Sequence, residues 1–251
     1  MDSNDKIDFE YKKLKQITQS FYDSILFSIF NYSRGPSNWK NNFFLRVSDE
    51  FIEGFESIEK MIENGFRNQC RRELRFLIEV AIKAAFITQT NIDEDFDEQL
   101  KTYHKLLKNP GINSINRINF PFFSNEVTKS EFIIEVKKMY GNLCNYVHLT
   151  PEQLAEKIAL SKDGRPFDKL SLTELEILNS EISISFSYIS VLLFNSMPQY
   201  VVGDFFEPGL PDYYYNKSKF IAEIDKEFDY KHERRANLDQ LLVLRKDRIE
   251  F

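Results

Sequence analysis

Apolar residues recur every three or four positions through most of the first two hundred residues, and this spacing limits the fold more than any other feature of the chain. It matches the period of about 3.6 residues at which one side of an α-helix repeats. Only eight glycines and eight prolines occur in 251 residues, which favours long regular elements over a β protein with many turns. We therefore predict an all-α fold, a bundle of about seven helices.

Local signals set the expected helix boundaries. Arg34-Gly35-Pro36 should end the first helix, whereas Asn64-Gly65 either ends the second helix or only weakens it. Thr150-Pro151-Glu152-Gln153 and Ser171-Leu172-Thr173-Glu174 each place Gln or Glu three positions after a capping residue, so each predicts a helix start. The predicted helices cover 9–32, 43–63, 66–88, 92–107, 129–148, a segment that begins at 150, and 171–197.

The composition changes after Pro198, where a segment rich in turn-forming and aromatic residues begins. We predict a helical bundle over 1–198 and a C-terminal extension over 199–251 that docks on the bundle or on a partner. Residues 205–215 are the predicted docking surface, because tyrosine-rich loops make contacts at low entropic cost. The apolar run 182–197 is interrupted by serine and asparagine, so we interpret it as a buried helix rather than a membrane span.

Charge and cysteine content narrow the function classes. A net charge of −6 argues against a broad surface for duplex DNA or for an anionic membrane. The two cysteines form neither a disulfide framework nor a zinc-ligand pattern, and no phosphate-binding or dinucleotide-binding glycine motif is present. The acidic, polar start does not resemble a signal peptide. We expect a cytoplasmic protein that needs no cofactor and no metal.

The segment from Tyr140 to His148 is the first candidate site, because it brings a phenol, a thiol, an imidazole and carboxamides together. On a helix running to His148, the residues Tyr140, Cys144 and His148 form one ridge, and Asn145 lies three positions before the histidine. The adjacent core positions would be Phe132, Val136, Met139, Leu143 and Val147. Imidazole suits proton transfer near neutral pH, but His148 could equally cap the helix and serve a structural role.

The second candidate is a ridge of arginines at intervals of four residues. It contains Arg67, Arg71 and Arg75 and continues to Glu79. Guanidinium groups suit phosphate, because their planar fork donates two parallel hydrogen bonds. Two other interpretations remain open: a solvated helix face, or arginines that pair with acidic residues on neighbouring helices.

Together the two ridges resemble the HEPN superfamily. The resemblance rests on the series Arg-x-x-x-Arg-x-x-x-Glu, from Arg71 to Glu79, and on Tyr-x-x-Leu-Cys-x-Tyr-Val-His, from Tyr140 to His148. It implies an all-α bundle that forms a homodimer, and membership of a bacterial toxin or antiviral defence system. It also implies metal-independent RNA cleavage in which the histidine transfers protons and an arginine stabilises the phosphate. In active members that arginine precedes the histidine by a few residues on the same helix, whereas this chain has Asn142 six positions before His148.

Two functional hypotheses follow. The favoured one is a non-catalytic helical interaction protein, since a carboxamide cannot replace the charge of guanidinium beside a phosphate in the transition state. The alternative is a metal-independent endoribonuclease acting on RNA. In that case His148 transfers protons, Asn142 or Asn145 orients the substrate, Tyr140 contacts His148 or a base, and Arg71 or Arg75 supplies the cation from the neighbouring helix.

Overall fold

The structure, a computed structural model, describes residues 3–35, 39–108, 111–148, 150–162, 170–206, 218–235, 238–240 and 242–243. Over these residues the fold is all-α with no strand, as the apolar spacing predicts. The described residues contain nine α-helices with seven or more residues, so the estimate of about seven was low. The helices are α1 (Ser3–Tyr32), α2 (Phe43–Arg46), α3 (Ser48–Glu63), α4 (Arg67–Thr90), α5 (Phe96–Leu107), α6 (Glu126–Cys144), α7 (Pro151–Lys162), α8 (Leu172–Phe194), α9 (Gln199–Phe205), α10 (Lys219–Lys226) and α11 (His232–Arg235), with 3-10 helices η1 (Trp39–Asn41) and η2 (Gly111–Arg117).

Helix α8 packs against α1, α4 and α10. It begins with the predicted capping box, in which the Ser171 hydroxyl accepts from the backbone N–H of Glu174 and the Glu174 carboxylate accepts from the backbone N–H of Ser171. By length and composition α8 could cross a membrane, but 78% of its most apolar window is buried inside the protein. The prediction of a buried helix is therefore confirmed.

Aromatic side chains fill the contact between α1, α3 and α8. The ring centroids of Phe21 and Phe55 lie 4.4 Å apart in an edge-to-face arrangement, and Phe186 lies 4.4 Å from Phe55. All three rings are buried. Such pairs add specific geometry to the burial of apolar area, and this fixes how the three helices meet.

The predicted helix over 43–63 is two helices. Residue Val47 separates α2 from α3, and the Asn42 side chain caps α2 by accepting from the backbone N–H of Leu45. At the other end α3 stops at Glu63, and Gly65 adopts φ 73°, a backbone conformation that favours glycine. The Asn64-Gly65 pair thus ends the helix rather than weakening it.

Much of the region after Pro198 packs into the same core as the bundle. Phe205 lies 4.7 Å from Phe194, and Phe220 lies 5.1 Å from Phe132, with all four rings buried. Phe206 is buried as well, so the first two residues of the predicted docking surface, Phe205 and Phe206, lie in the core. The rest of that surface, 207–215, lies outside the described residues.

A buried ion cluster ties parts of the region after Pro198 to one another. The guanidinium group of Arg234 donates to Asp225 at 2.7 Å and to the backbone carbonyl of Phe206 at 3.0 Å, and it pairs with Asp229 at 3.3 Å. Its side chain is fully buried, so the charge depends on these partners. The cluster joins the segment after α10 to the end of α9.

Candidate functional site

The arginine ridge of α4 faces acidic residues of α8. Arg71 makes a bidentate ion pair with Glu181, with distances of 2.7 and 3.2 Å from its Nε and Nη2 atoms. One turn earlier Arg67 pairs with Glu174, the same carboxylate that takes part in the capping box of α8. Of the interpretations left open by the sequence, pairing with acidic residues on a neighbouring helix is confirmed for these two arginines.

Arg75 belongs to a second network that joins α4 to α6. Its Nη2 donates to the hydroxyl of Tyr140 at 2.6 Å, and that hydroxyl donates to Glu79 at 2.9 Å. Glu79 also pairs with Arg75 at 3.1 Å and with the buried Lys83 at 2.6 Å. One phenol therefore lies between a cation and a carboxylate, both from α4, and ties them to α6.

The surroundings fix the protonation states in this network. Burial, followed by the hydrogen bond to Glu79, raises the pKa of Tyr140 well above its ordinary value of 10.0, so the phenol stays neutral and can donate. Burial alone would raise the pKa of Glu79. The hydrogen bonds from Lys83 and Tyr140 and the charge of Arg75 outweigh burial, and the net pKa is lowered from 4.5. The network is thus an ionised carboxylate held by two cations and a phenol.

Helix α6 ends at Cys144, four residues earlier than predicted, and residues 145–148 form a turn. In this turn the backbone N–H groups bond to carbonyls three residues back, as from Tyr146 to Leu143 and from Val147 to Cys144. The helical register therefore does not reach Val147, which is exposed rather than part of the core. The predicted ridge of Tyr140, Cys144 and His148 is interrupted before the histidine.

Two arginines hold this turn on α4. The guanidinium group of Arg71 stacks over the ring of Tyr146 at 4.5 Å, and Nε of Arg72 donates to the backbone carbonyl of Tyr146. Gln153 of α7 donates to the carbonyl of Asn145 at 2.6 Å from the other side. The two sequence ridges therefore do face each other, and the contact runs from Tyr140 to Tyr146.

His148 lies at the edge of this contact. Its side chain is exposed, and within the described part of the chain it makes no hydrogen bond or ion pair. Asn142 and Asn145 are also exposed. The structure thus joins Arg71, Arg75, Glu79 and Tyr140 in one contact region, and leaves the histidine and both asparagines on the surface beside it.

The two cysteines differ in environment. Cys70 is buried in the core, and burial raises the pKa of its thiol to about 12. Cys144 is half-buried, and its Sγ accepts from Nε of Arg75 at 3.4 Å. The described residues contain no group of three or more histidine, cysteine, aspartate or glutamate side chains that could hold a metal ion.

Sequence reasoning gave no role to Arg72, Tyr146, Lys83 or Glu181, all of which belong to the observed contacts. Glu174 and Glu181 offered a signal, because they lie seven positions apart and therefore on the same side of a helix that is predicted to be packed. Such acids need cations when the helix is packed, and the α4 arginines were the available partners. The role of Tyr146 had no such signal, because it depends on where α6 ends.

This arrangement suits a rigid joint between helices better than recognition of an added anion. The guanidinium groups of Arg71 and Arg75 are both paired with carboxylates. A phosphate would have to displace those carboxylates, which already occupy the fork that it would use. Comparison of the chain with protein-family models, with curated proteins and with solved structures found no match.

Proposed function

We propose that this chain is a non-catalytic helical interaction protein with a degenerate HEPN-like motif. The observation that supports the proposal is the pairing of both candidate arginines, Arg71 with Glu181 and Arg75 with Glu79 and Tyr140. A cation that stabilises phosphate in a transition state must be free to meet the developing charge. Here both guanidinium groups serve the packing of α4 against α6 and α8.

In this proposal the polar contacts of Arg71, Arg72, Arg75 and Glu79 with Tyr140 and Tyr146 act as a clamp. It fixes α6 and the turn at 145–148 on α4 through hydrogen bonds and cation–π contacts that would break if the helices slid past each other. The clamp holds the outer side of α6 in one position, which suits a surface that has to fit a partner. Preorganisation of this kind lowers the entropy lost on binding.

A metal-independent endoribonuclease is the second candidate, and one observation favours it. His148 is exposed close in sequence to Tyr146, whose carbonyl accepts from Arg72. Arg72 is exposed and makes no ion pair among the described residues, so its remaining N–H groups could meet a phosphate. In this candidate His148 transfers the proton, Asn142 or Asn145 orients the RNA, and Arg72 supplies the charge that Arg71 and Arg75 cannot.

RNA cleavage separates the two candidates. The purified full chain is incubated with single-stranded RNA and with total cellular RNA in the presence of EDTA, beside His148→Ala and the control His104→Ala. His104 is another exposed histidine, on α5, away from the candidate motif. We expect no cleavage above the protein-free sample. Cleavage that His148→Ala abolishes and His104→Ala keeps would overturn the proposal, whereas cleavage equal in all three would indicate a contaminating nuclease.

A further inference from the structure

The outer side of α6 exposes apolar residues that the other described residues leave uncovered. Val127 is 67% exposed and Ile134 is 64% exposed, although both lie on a helix whose other side is buried in the core. They are seven residues apart, and Gly141 follows after another seven. Residues at this spacing lie on nearly the same side of a helix.

Gly141 is unusual in this position. It lies inside α6 with no positive φ, and a Cβ atom added to it would meet nothing within 4 Å. Glycine in a helix interior destabilises by roughly 0.5–1 kcal/mol relative to alanine, so an exposed glycine without a conformational or steric reason is a feature to explain. The missing side chain leaves a depression on the same side as Val127 and Ile134.

Two opposite charges lie between these residues. Glu131, with 52% of its side chain exposed, lies between Val127 and Ile134, and the exposed Lys138 lies between Ile134 and Gly141. Glu131 pairs with Lys219 at 3.2 Å, whereas Lys138 makes no ion pair within the described part of the chain. We call Val127, Glu131, Ile134, Lys138 and Gly141 the α6 seam; polar contacts border it, from Lys219 on one flank and from Lys137 to Asn116 on the other.

We propose that the α6 seam binds a second copy of this chain, with the two α6 helices antiparallel about a two-fold axis at Ile134. The second copy is then the partner of the helical interaction protein, and the inference rests on that proposed function. Antiparallel pairing puts Ile134 against the partner's Ile134. It also puts Val127, seven residues before the axis, over the partner's Gly141, seven residues after it. Glu131 then lies within one position of the partner's Lys138.

The pattern is self-complementary in shape and in charge, as an interface related by a two-fold axis requires. Each Val127 fills the depression at Gly141 of the other copy, and the two Ile134 side chains meet at the centre. Each Lys138 gains a carboxylate from the other copy. The polar contacts on both flanks resemble the polar rim of a protein interface. A heterologous partner would need no such match between one half of α6 and the other.

The first test measures the oligomeric state of the full chain by sedimentation velocity over roughly 1–500 µM, because one helix pair buries less than the roughly 1,200 Å² of a stable interface. We expect a dimer that dissociates on dilution. Ile134→Arg should weaken it at least about tenfold by placing two cations on the axis. Ile158→Arg, a matched change at an exposed isoleucine of α7, should leave it unchanged. A chain that stays monomeric throughout, or a dimer equally weakened by both changes, overturns the proposal.

The second test reverses the charges. Glu131→Lys and Lys138→Glu should each weaken the dimer, and the double variant should restore it, since each new lysine then faces a new glutamate of the partner. Thermal unfolding checks that all variants fold. We expect them to fold, because the substituted side chains are exposed. Additive loss in the double variant overturns the antiparallel pairing. RNA cleavage that depends on His148 would overturn the proposed function whatever the oligomeric state, while a monomer without cleavage overturns only the seam.

Discussion

The hydroxyl of Tyr140 accepts from Arg75 and donates to Glu79, so one phenol joins two charges of α4 to α6. Its ring also lies beneath the Arg75 guanidinium at 4.8 Å. Removal of the hydroxyl leaves the ring contact and leaves two charged groups with one partner fewer. The contribution of the hydrogen bonds can therefore be separated from that of the packing.

Tyr140→Phe should lower the free energy of unfolding by about 1–3 kcal/mol, the usual cost of a lost hydrogen bond to charged groups. Tyr146→Phe is the matched control, since Arg71 stacks on its ring and its hydroxyl makes no hydrogen bond among the described residues. That change should cost less than about 0.5 kcal/mol. Urea unfolding measures both, and equal losses would show that the Tyr140 hydroxyl does not stabilise the clamp.

The pH dependence of stability should report on Glu79. Its pKa is lower in the folded chain than the unfolded value of 4.5, so the unfolded chain binds more protons as the pH falls. The stabilisation is therefore complete above about pH 4.5 and is lost below that, as the pH falls through the folded pKa. We expect Glu79→Gln to be less stable than the natural chain near pH 7, by a difference that shrinks below pH 4.5.

Urea unfolding at several pH values between neutral and acid measures this difference. The exposed Glu176, which makes no ion pair in the part of the chain that the structure describes, provides the control Glu176→Gln. That change should alter the free energy of unfolding little at any pH. A difference for Glu79→Gln that stayed constant into the acid range would argue against an ionised, stabilising Glu79.

The sequence predicts which residues of the clamp share one side of a helix, but it does not predict which residues they contact. Apolar spacing placed Tyr140 beside a buried face, and the four-residue intervals placed Arg71 and Arg75 on one ridge. Which carboxylate each arginine meets depends on how the helices cross, and a ridge on one helix does not contain that information. The surface position of His148 depends on where α6 ends, and the turn that follows α6 is held by Gln153 from nearby in the chain and by Arg72, 74 positions away.

At the scale of elements, close approach of α3 to α4 depends on Gly54. A Cβ atom there would lie 2.7 Å from Cδ2 of Leu77 and 2.9 Å from Cδ1, both in the core. These distances are well inside ordinary contact, so a side chain would force α3 away from α4 or push Leu77 from its place. The small residue is therefore a condition for this helix pair.

Gly54→Ala should destabilise the chain by about 1–3 kcal/mol, although alanine is the better helix former by about 1 kcal/mol. Gly141→Ala, in the open seam of α6, should instead stabilise it by up to about 1 kcal/mol in dilute solution. Urea unfolding at low micromolar concentration compares the two. If both substitutions stabilised the chain, the crowding at Leu77 would be refuted.

Helix existence was readable from the sequence, whereas some boundaries were not. The capping box at Ser171 gave the start of α8 to the residue, because its signal is local. The break at Val47 between α2 and α3 has no glycine or proline to announce it. There the Asn42 side chain caps α2 and also donates to the carbonyl of Ser196, a long-range contact.

At the scale of the whole molecule, the rings after Pro198 complete the aromatic core rather than resting on it. Phe220 contacts Phe132, and Phe228 lies 5.6 Å from Phe122. The sequence becomes richer in turn-forming and aromatic residues after Pro198. Turn-forming residues indicate a change of local structure, and they do not indicate where the core ends. Burial of those rings could not be inferred without the tertiary fold.

A chain truncated to residues 1–198 should lose its cooperative thermal transition, since it would expose Phe122, Phe132 and Phe194 to water. Truncation to 1–235 is the control. It keeps α9 to α11 and the Arg234 cluster and removes described residues such as Leu242 and Val243, which are exposed. Its Tm should match that of the full chain. Equal transitions for both truncations would show that the segment after 198 adds nothing to the core.

The late position of α8 in the chain has a consequence for the growing polypeptide. The side chain of Asn179 donates to Glu10 of α1 across 169 positions, and α4 packs on α8 from the other side. Helices α1 and α4 therefore leave the ribosome long before the helix that covers them exists. At roughly 5–20 residues per second, the part of α1 that packs on α8 stays uncovered for about ten to thirty seconds. Nascent chains that stall before residue 172 should thus be the ones that aggregate or bind chaperones.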